Sequence, residues 1–252
     1  MNQEQDQWSG LFHHPDTLFF EEQLLTSERS DQEVELLTRL LELEEGTEAL
    51  DAPCGWGRHA NRLAARGCRV VGLDNDPVIL QRAREDATAM GTQADYVKGD
   101  LRTLPFADGR FEAVFNWRTS FGFFDEEGNR KQLHEFARVL RRGGRLAIDL
   151  HSRDDIVRRM PARGPLISVA ERDGDFLIER VRFDAVAGRS RTERVVVRDG
   201  RVRRFRFSLA IPPLSVLRDW LCQAGFSEVD AYGQNGEPLR IDSRRLLIVA
   251  QR

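Results

Sequence analysis

From residue 48 to residue 150 the chain alternates short, nearly all-apolar runs with segments of helical period. Glycine, aspartate or proline marks almost every change. Residues 49–52 read as a strand, 57–66 as a helix closed by Gly67, and 68–73 as a second strand, apolar but for Arg69. Asp76 and Pro77 supply an N-cap and a first helical residue for the next helix, which Gly91 stops. Residues 94–98 and Phe111–Asn116 read as the third and fourth strands. Leu133, Phe136, Ala137 and Leu140 share one helical face, ended by Gly143 and Gly144, and residues 145–150 form a fifth strand. Strands of this buried type, joined by helices, specify an α/β fold: a mostly parallel sheet with helices on both faces.

The flanks follow different patterns. Residues 1–45 read as a helical arm. It places Trp8, Phe12, Phe19 and Phe20 among polar residues, with one helix near 17–25 and a stronger one over 30–44. Ser30 and Glu33 have capping-box spacing at the start of that second helix, and Gly46 supplies a stop. Residues 161–210 read as an antiparallel β insertion, with alternating strands at 166–171, 176–183, 192–198 and 201–210. The turns are Asp173-Gly174, Gly188 and Asp199-Gly200, and the alternation gives the sheet one wet face. A helix over Leu214–Ala224 and strands at Glu228–Tyr232 and 245–250 complete the main domain, which therefore spans 46–160 and 211–252.

Net charge is −3, which argues against nucleic acid held by charge alone as the partner. Residues 1–50 carry thirteen Asp or Glu against two Arg, whereas 153–207 carry fifteen Arg against nine acids. That contrast predicts attraction between arm and insertion, closing over a site as a lid. The Arg-rich insertion reads either as a solvated face or as a surface for an anionic substrate. No apolar run approaches the roughly 20 residues of a membrane span. The start, MNQEQDQWSG, lacks a secretory pattern, and Cys54, Cys68 and Cys222 fit neither a disulfide framework nor a metal site. A cytoplasmic protein without a membrane or metal partner is expected.

The chemistry concentrates in Leu50-Asp51-Ala52-Pro53-Cys54-Gly55-Trp56-Gly57-Arg58, which leaves a strand and enters a helix through two glycines. Such a turn brings backbone and helix N–H groups close to a ligand. Gly55, Gly57 and Ala60 also fit Gly-x-Gly-x-x-Ala, so a dinucleotide site is an alternative. Asp51 beside the loop suits a cation better than a pyrophosphate. Asp74, ending the second strand, suits a ribose diol in either case. Asp100 and Leu101, after the third strand, suit an adenine amino group and ring face.

These segments, with 111–124 and 133–150, resemble the class I S-adenosylmethionine (SAM)-dependent methyltransferases. The run Ala137-Arg138-Val139-Leu140-Arg141-Arg142-Gly143-Gly144-Arg145-Leu146 is especially family-like. Pro53 departs from the family's loop, where glycine is more usual. The resemblance implies a seven-stranded Rossmann-like sheet with its last strand antiparallel and SAM across the carboxyl ends of the strands. It implies that Asp51, Ala52, Gly55 and Gly57 hold the amino-acid part of SAM and that Asp74 holds the ribose. Asn75, Asp100 and Leu101 would meet the adenine, and Asn116 would line the floor. Trp117 and Phe121, in an aromatic run after the fourth strand, are candidate acceptor contacts, and His151 after the fifth is a candidate general base. The implied reaction is methyl transfer to N or O of a small molecule. RNA or protein methylation, nicotinamide-dependent oxidation and a non-catalytic SAM-binding module are the alternatives.

Overall fold

The computed structural model describes residues 14–252, so Trp8, Phe12 and the rest of the arm's first thirteen residues lie outside the described part. Helices α1 (Pro15–Leu24) and α2 (Ser27–Leu41) precede β1 (Glu48–Asp51), α3 (Arg58–Ala65), β2 (Arg69–Asp74), α4 (Pro77–Met90) and β3 (Asp95–Lys98). Next come β4 (Phe111–Asn116), α5 (Glu126–Val139), β5 (Leu140–His151) and α6 (Arg153–Arg159). Strands β6 (Leu166–Arg172), β7 (Asp175–Asp184), β8 (Arg189–Arg198) and β9 (Arg201–Ala210) follow, then α7 (Leu214–Ala224), β10 (Glu228–Tyr232) and β11 (Arg245–Gln251).

The seven-stranded sheet has the order β10-β11-β5-β4-β1-β2-β3. Strands β1 to β5 pair in parallel, and β11 pairs antiparallel with β5 and β10. Two core clusters cover its faces, one around Phe136, Leu146 and Leu221 and one around Leu37, Leu63 and Leu80. The chain reverses its direction of growth between β1 and β4, and that point opens a crevice at their carboxyl ends. No described helix is long and apolar enough to cross a membrane.

The insertion is a second, four-stranded antiparallel sheet in sequence order β6-β7-β8-β9. Its two-residue period divides it cleanly. Leu177 and Val196 pack on Phe19 and Phe20 of α1, and Val181, Ser190, Thr192 and Leu209 line a cavity. On the opposite face, Glu193 pairs with Arg180 and Arg206 in the open. The arm and insertion attract as their charges suggest. Asp16 of α1 pairs with Arg198 and Arg203, Glu21 pairs with Arg194, and Glu22 joins Arg82 of α4.

Three local expectations are corrected. Helix α2 begins one turn before Ser30, because the Thr26 side chain accepts from the Arg29 N–H and caps it there. It ends at Glu42, in the left-handed region at φ 52°, not at Gly46. Gly143 and Gly144 do not stop a helix; they lie inside β5, where the register with β4 shifts. A Cβ on Gly144 would stand 3.0 Å from the Glu112 carbonyl oxygen, so the strands need glycine at this close approach. Helix α6 was not foreseen, because seven residues with Ile156 as their one buried apolar side chain show no readable period.

Candidate active site

The crevice is a cavity of about 790 Å³, within the range of small-molecule sites. The β1–α3 loop, the ends of β2 and β3, the segment after β4, the inner face of the insertion and α1 all line it. Of the sequence-derived candidates, Gly55, Asp74, Asn75, Asp100, Leu101, Trp117 and His151 reach its wall. Asp51, Ala52, Gly57 and Asn116 lie beneath that lining, and all four are buried. Phe121 does not reach the cavity: it is buried in the core with Phe136 and Leu217, and Phe123 and Phe124 form the wall instead.

The loop is held by its own amides. Gly55, at φ 54°, donates its N–H to Asp74 Oδ2 at 3.0 Å, and a Cβ added there would meet nothing within 4 Å. The backbone at Gly55 is therefore bare toward the cavity. Gly57 has a different task. Its N–H closes the turn onto the Cys54 carbonyl at 3.0 Å, and any side chain there would strike the Tyr96 hydroxyl. Asp74 also accepts from the Asp76 N–H at 3.1 Å, so two backbone amides orient its carboxylate at the cavity wall. Asp76 itself caps α4. Asn116 donates to the Ala52 carbonyl at 2.8 Å and braces the loop from below. Asp100 is engaged by Arg102 through both oxygens, at 3.0 and 2.7 Å, which holds its pKa below the usual carboxylate value.

Beneath the loop, Asp51 is 1% exposed, and neither carboxylate oxygen has a hydrogen-bond partner of ordinary geometry among the described residues. Burial pushes its pKa well above the ordinary value; the Arg58 cation opposes the shift and Asp74 adds to it. A buried carboxylate in this state favours a cation nearby. Cys54 is an inert neighbour, its thiol pKa raised by burial and by the charges of Asp51 and Asp74.

Arg58 carries no assigned role in the sequence reading, yet it lines the cavity at the first turn of α3. Its Nη2 donates to Glu33 Oε2 at 2.7 Å and its Nη1 to Ser30 Oγ at 2.6 Å. Ser30 and Glu33 thus serve this guanidinium from α2 rather than capping α2. His59 Nε2 lies 2.9 Å from the same Glu33 oxygen, and burial lowers its pKa to about 4. The available signal was a cation at a helix N-terminus, where the dipole disfavours positive charge.

His151 lies at the end of β5, in the cavity wall. Its Nδ1 is 3.1 Å from Arg245 Nη1, which only donates, so Nδ1 accepts and the neutral ring carries its proton on Nε2. Its ring keeps an exposed face, and desolvation by the surrounding wall, with the Arg245, Arg118 and Arg159 cations nearby, lowers its pKa below the ordinary imidazole value. A ring in that state donates a hydrogen bond from Nε2 and is a weak base.

A methyltransferase domain family matches residues 49–144, the segment from β1 through the β4–β5 region that builds the crevice. By that match this part of the chain is a methyltransferase domain. The domain is similar to the demethylmenaquinone methyltransferase of Thermus thermophilus, 41% identical over 101 residues, which cover 39% of this chain and 44% of that one. The match thus spans less than half of that relative. The fold matches a SAM-dependent methyltransferase from Clostridium acetobutylicum with a TM-score of 0.77 at 16% identity, covering 97% of this chain and 98% of that one. It also matches the sugar N-methyltransferase from Streptoalloteichus with a TM-score of 0.67 at 21% identity, covering 93% and 91%. The residues present fit SAM as a cofactor: a bare Gly55 backbone, a wall carboxylate at Asp74, and a buried carboxylate at Asp51 beneath the loop with no hydrogen-bond partner of ordinary geometry among the described residues.

Proposed function

We propose that the protein transfers a methyl group from SAM to N or O of a small-molecule acceptor. The observation that carries this reading is the continuity of one cavity from the β1–α3 loop to the inner face of the insertion, with α1 as its roof. A cavity walled on these sides admits a small molecule beside the cofactor far more readily than an RNA or a folded protein. The Streptoalloteichus relative acts on a sugar nitrogen and the Thermus one bears a quinone name, and both names describe small molecules.

When bound, SAM supplies a methyl group on a sulfonium sulfur, already activated for direct displacement. The chain's residues orient and desolvate. In this reading Asp74 accepts from the ribose hydroxyls while the Gly55 and Asp76 amides hold it in place. Asp51 answers the ammonium of the amino-acid part, and Arg58, fixed by Glu33, answers its carboxylate. Leu101 covers the adenine face and Asn75 meets its edge. Asp100 meets the adenine only by sharing its carboxylate with Arg102. Trp117 and Phe124 exclude water from the acceptor side. His151 steadies the acceptor as a hydrogen-bond donor, and an amine arriving neutral needs no strong base.

The test is thermal-shift measurement with S-adenosylhomocysteine, then a screen for its release from SAM across a panel of amines, hydroxylated metabolites and sugars. Stabilisation by the nucleoside and turnover with one small acceptor are expected. Stabilisation by a nicotinamide dinucleotide instead, or turnover only with RNA or protein, overturns the reading.

A further inference from the structure

The cavity holds a second polar corner that the cofactor does not use. Arg118 and Thr119 follow the end of β4, and both have φ of 60°. Two consecutive non-glycine residues in the left-handed region are costly and persist only where their surroundings hold them. Asp149 of β5 does so: its Oδ2 accepts from the Arg118 N–H at 3.1 Å, and its carbonyl accepts from the Thr119 N–H at 2.8 Å. Arg245 in turn fixes Asp149, donating from Nε to Oδ1 at 2.7 Å.

This forced backbone sets two donors in the cavity wall. Thr119 is 8% exposed, and its hydroxyl has no hydrogen-bond partner among the described residues. Among the described residues the Arg118 guanidinium makes one long contact, 3.4 Å to Glu21 Oε2. Glu21 also reaches Arg194, at 3.5 Å, so it is shared between two cations. The other acids here are engaged: Glu179 of the cavity wall by Arg194, Asp149 by Arg245, and Asp155 by Arg158 and Arg159. His151 adds its Nε2 proton on the neighbouring strand end.

We propose that this corner binds an oxyanion of the acceptor, a carboxylate or phosphate, with Arg118 and Thr119 as its specificity-determining residues. Describing the anion as part of a methyl acceptor rests on the function proposed above; anion binding at the corner does not. Arg118 then pairs with the substrate in place of its long contact to Glu21.

Calorimetric titration with inorganic phosphate and with acetate, at ionic strength fixed by chloride and with or without S-adenosylhomocysteine, tests this. At least one of the two anions is expected to bind the wild-type protein, and the tighter of them identifies the group. Arg118→Gln should weaken that binding by about tenfold, Arg118→Lys should recover part of it, and Thr119→Val should weaken it roughly threefold. The outer-face variant Arg204→Ser should leave it unchanged. Failure of both anions to bind, or equal binding by the Arg118→Gln and Thr119→Val variants, overturns the proposal. If Arg118→Gln does not fold, Thr119→Val decides. Anion binding without S-adenosylhomocysteine binding would sink the SAM reading and leave the corner standing.

Discussion

The two ends of the cavity are built by different means. At the β1–α3 loop, where the cofactor is proposed to lie, one nine-residue segment and the next strand ends supply nearly everything: Gly55, Asp74, Asp51 and the amides that fix them are close in sequence or on adjacent parallel strands. At the acceptor end, the walls come from α1, the segment after β4, α6 and a separate sheet, joined by ion pairs such as Asp16–Arg198 and Glu21–Arg194 across more than 150 residues. A local device survives change elsewhere in the chain. A wall assembled from distant segments is where relatives sharing only the domain are free to differ in acceptor.

The largest effect that would break this contrast comes from Arg58, where the arm reaches the cofactor loop. Arg58→Met leaves the half-buried Glu33 with Arg29, at 3.0 Å, and His59 as its close partners, removes its shortest ion pair, and should cost about 3 kcal/mol of stability by denaturant titration. A loss below about 1 kcal/mol would mean that α2 and the loop are independent.

Next comes the acid sensitivity of the same cluster. His59 binds a proton less readily folded, pKa about 4, than at its ordinary 6.5. Its contribution is therefore full above pH 6.5 and is lost as pH falls toward 4, a change of about 3 kcal/mol. Glu33, also held below its usual value by His59 and Arg58 against its burial, adds a loss in the same direction at lower pH. Melting curves against pH should show this step, and His59→Gln should flatten it.

Much of the structure around the β1–α3 loop was legible beforehand, because its signals are local. Glycines after a strand, Asp76-Pro77 as a helix opening and Phe111–Asn116 as a buried strand each depend on neighbours within a few residues. What escaped depended on distant partners. Ser30 and Glu33 have the spacing of a cap, but Arg58, 28 residues from Ser30, draws them away. Phe121 belongs to an aromatic run that looks like a pocket wall, yet only the packing of α5 and α7 decides that it points into the core. Arg118 and Thr119 gave no signal, since their backbone is set by Asp149, 31 residues from Arg118.

Smaller effects sharpen the comparison. Asp51→Asn should weaken S-adenosylhomocysteine binding about tenfold, some 1.4 kcal/mol, and raise the melting temperature of the free protein by removing a buried carboxylate that has no hydrogen-bond partner of ordinary geometry among the described residues. A lower melting temperature would mean that Asp51 has a structural partner. The smallest belongs to the outer face of the insertion: Arg204→Ser, 4.0 Å from Glu193 in solvent, should change stability by less than about 0.5 kcal/mol. A larger change there would show that this face is covered.

The most direct measurement is calorimetric titration of S-adenosylhomocysteine into the wild-type protein and Asp74→Ala. Saturable one-to-one binding to the wild type, weakened about a hundredfold in the variant, is the expected result, because two charge-assisted hydrogen bonds to the ribose are lost with the carboxylate. No binding to the wild type, or equal binding to both, would contradict the placement of the cofactor at the end of β2.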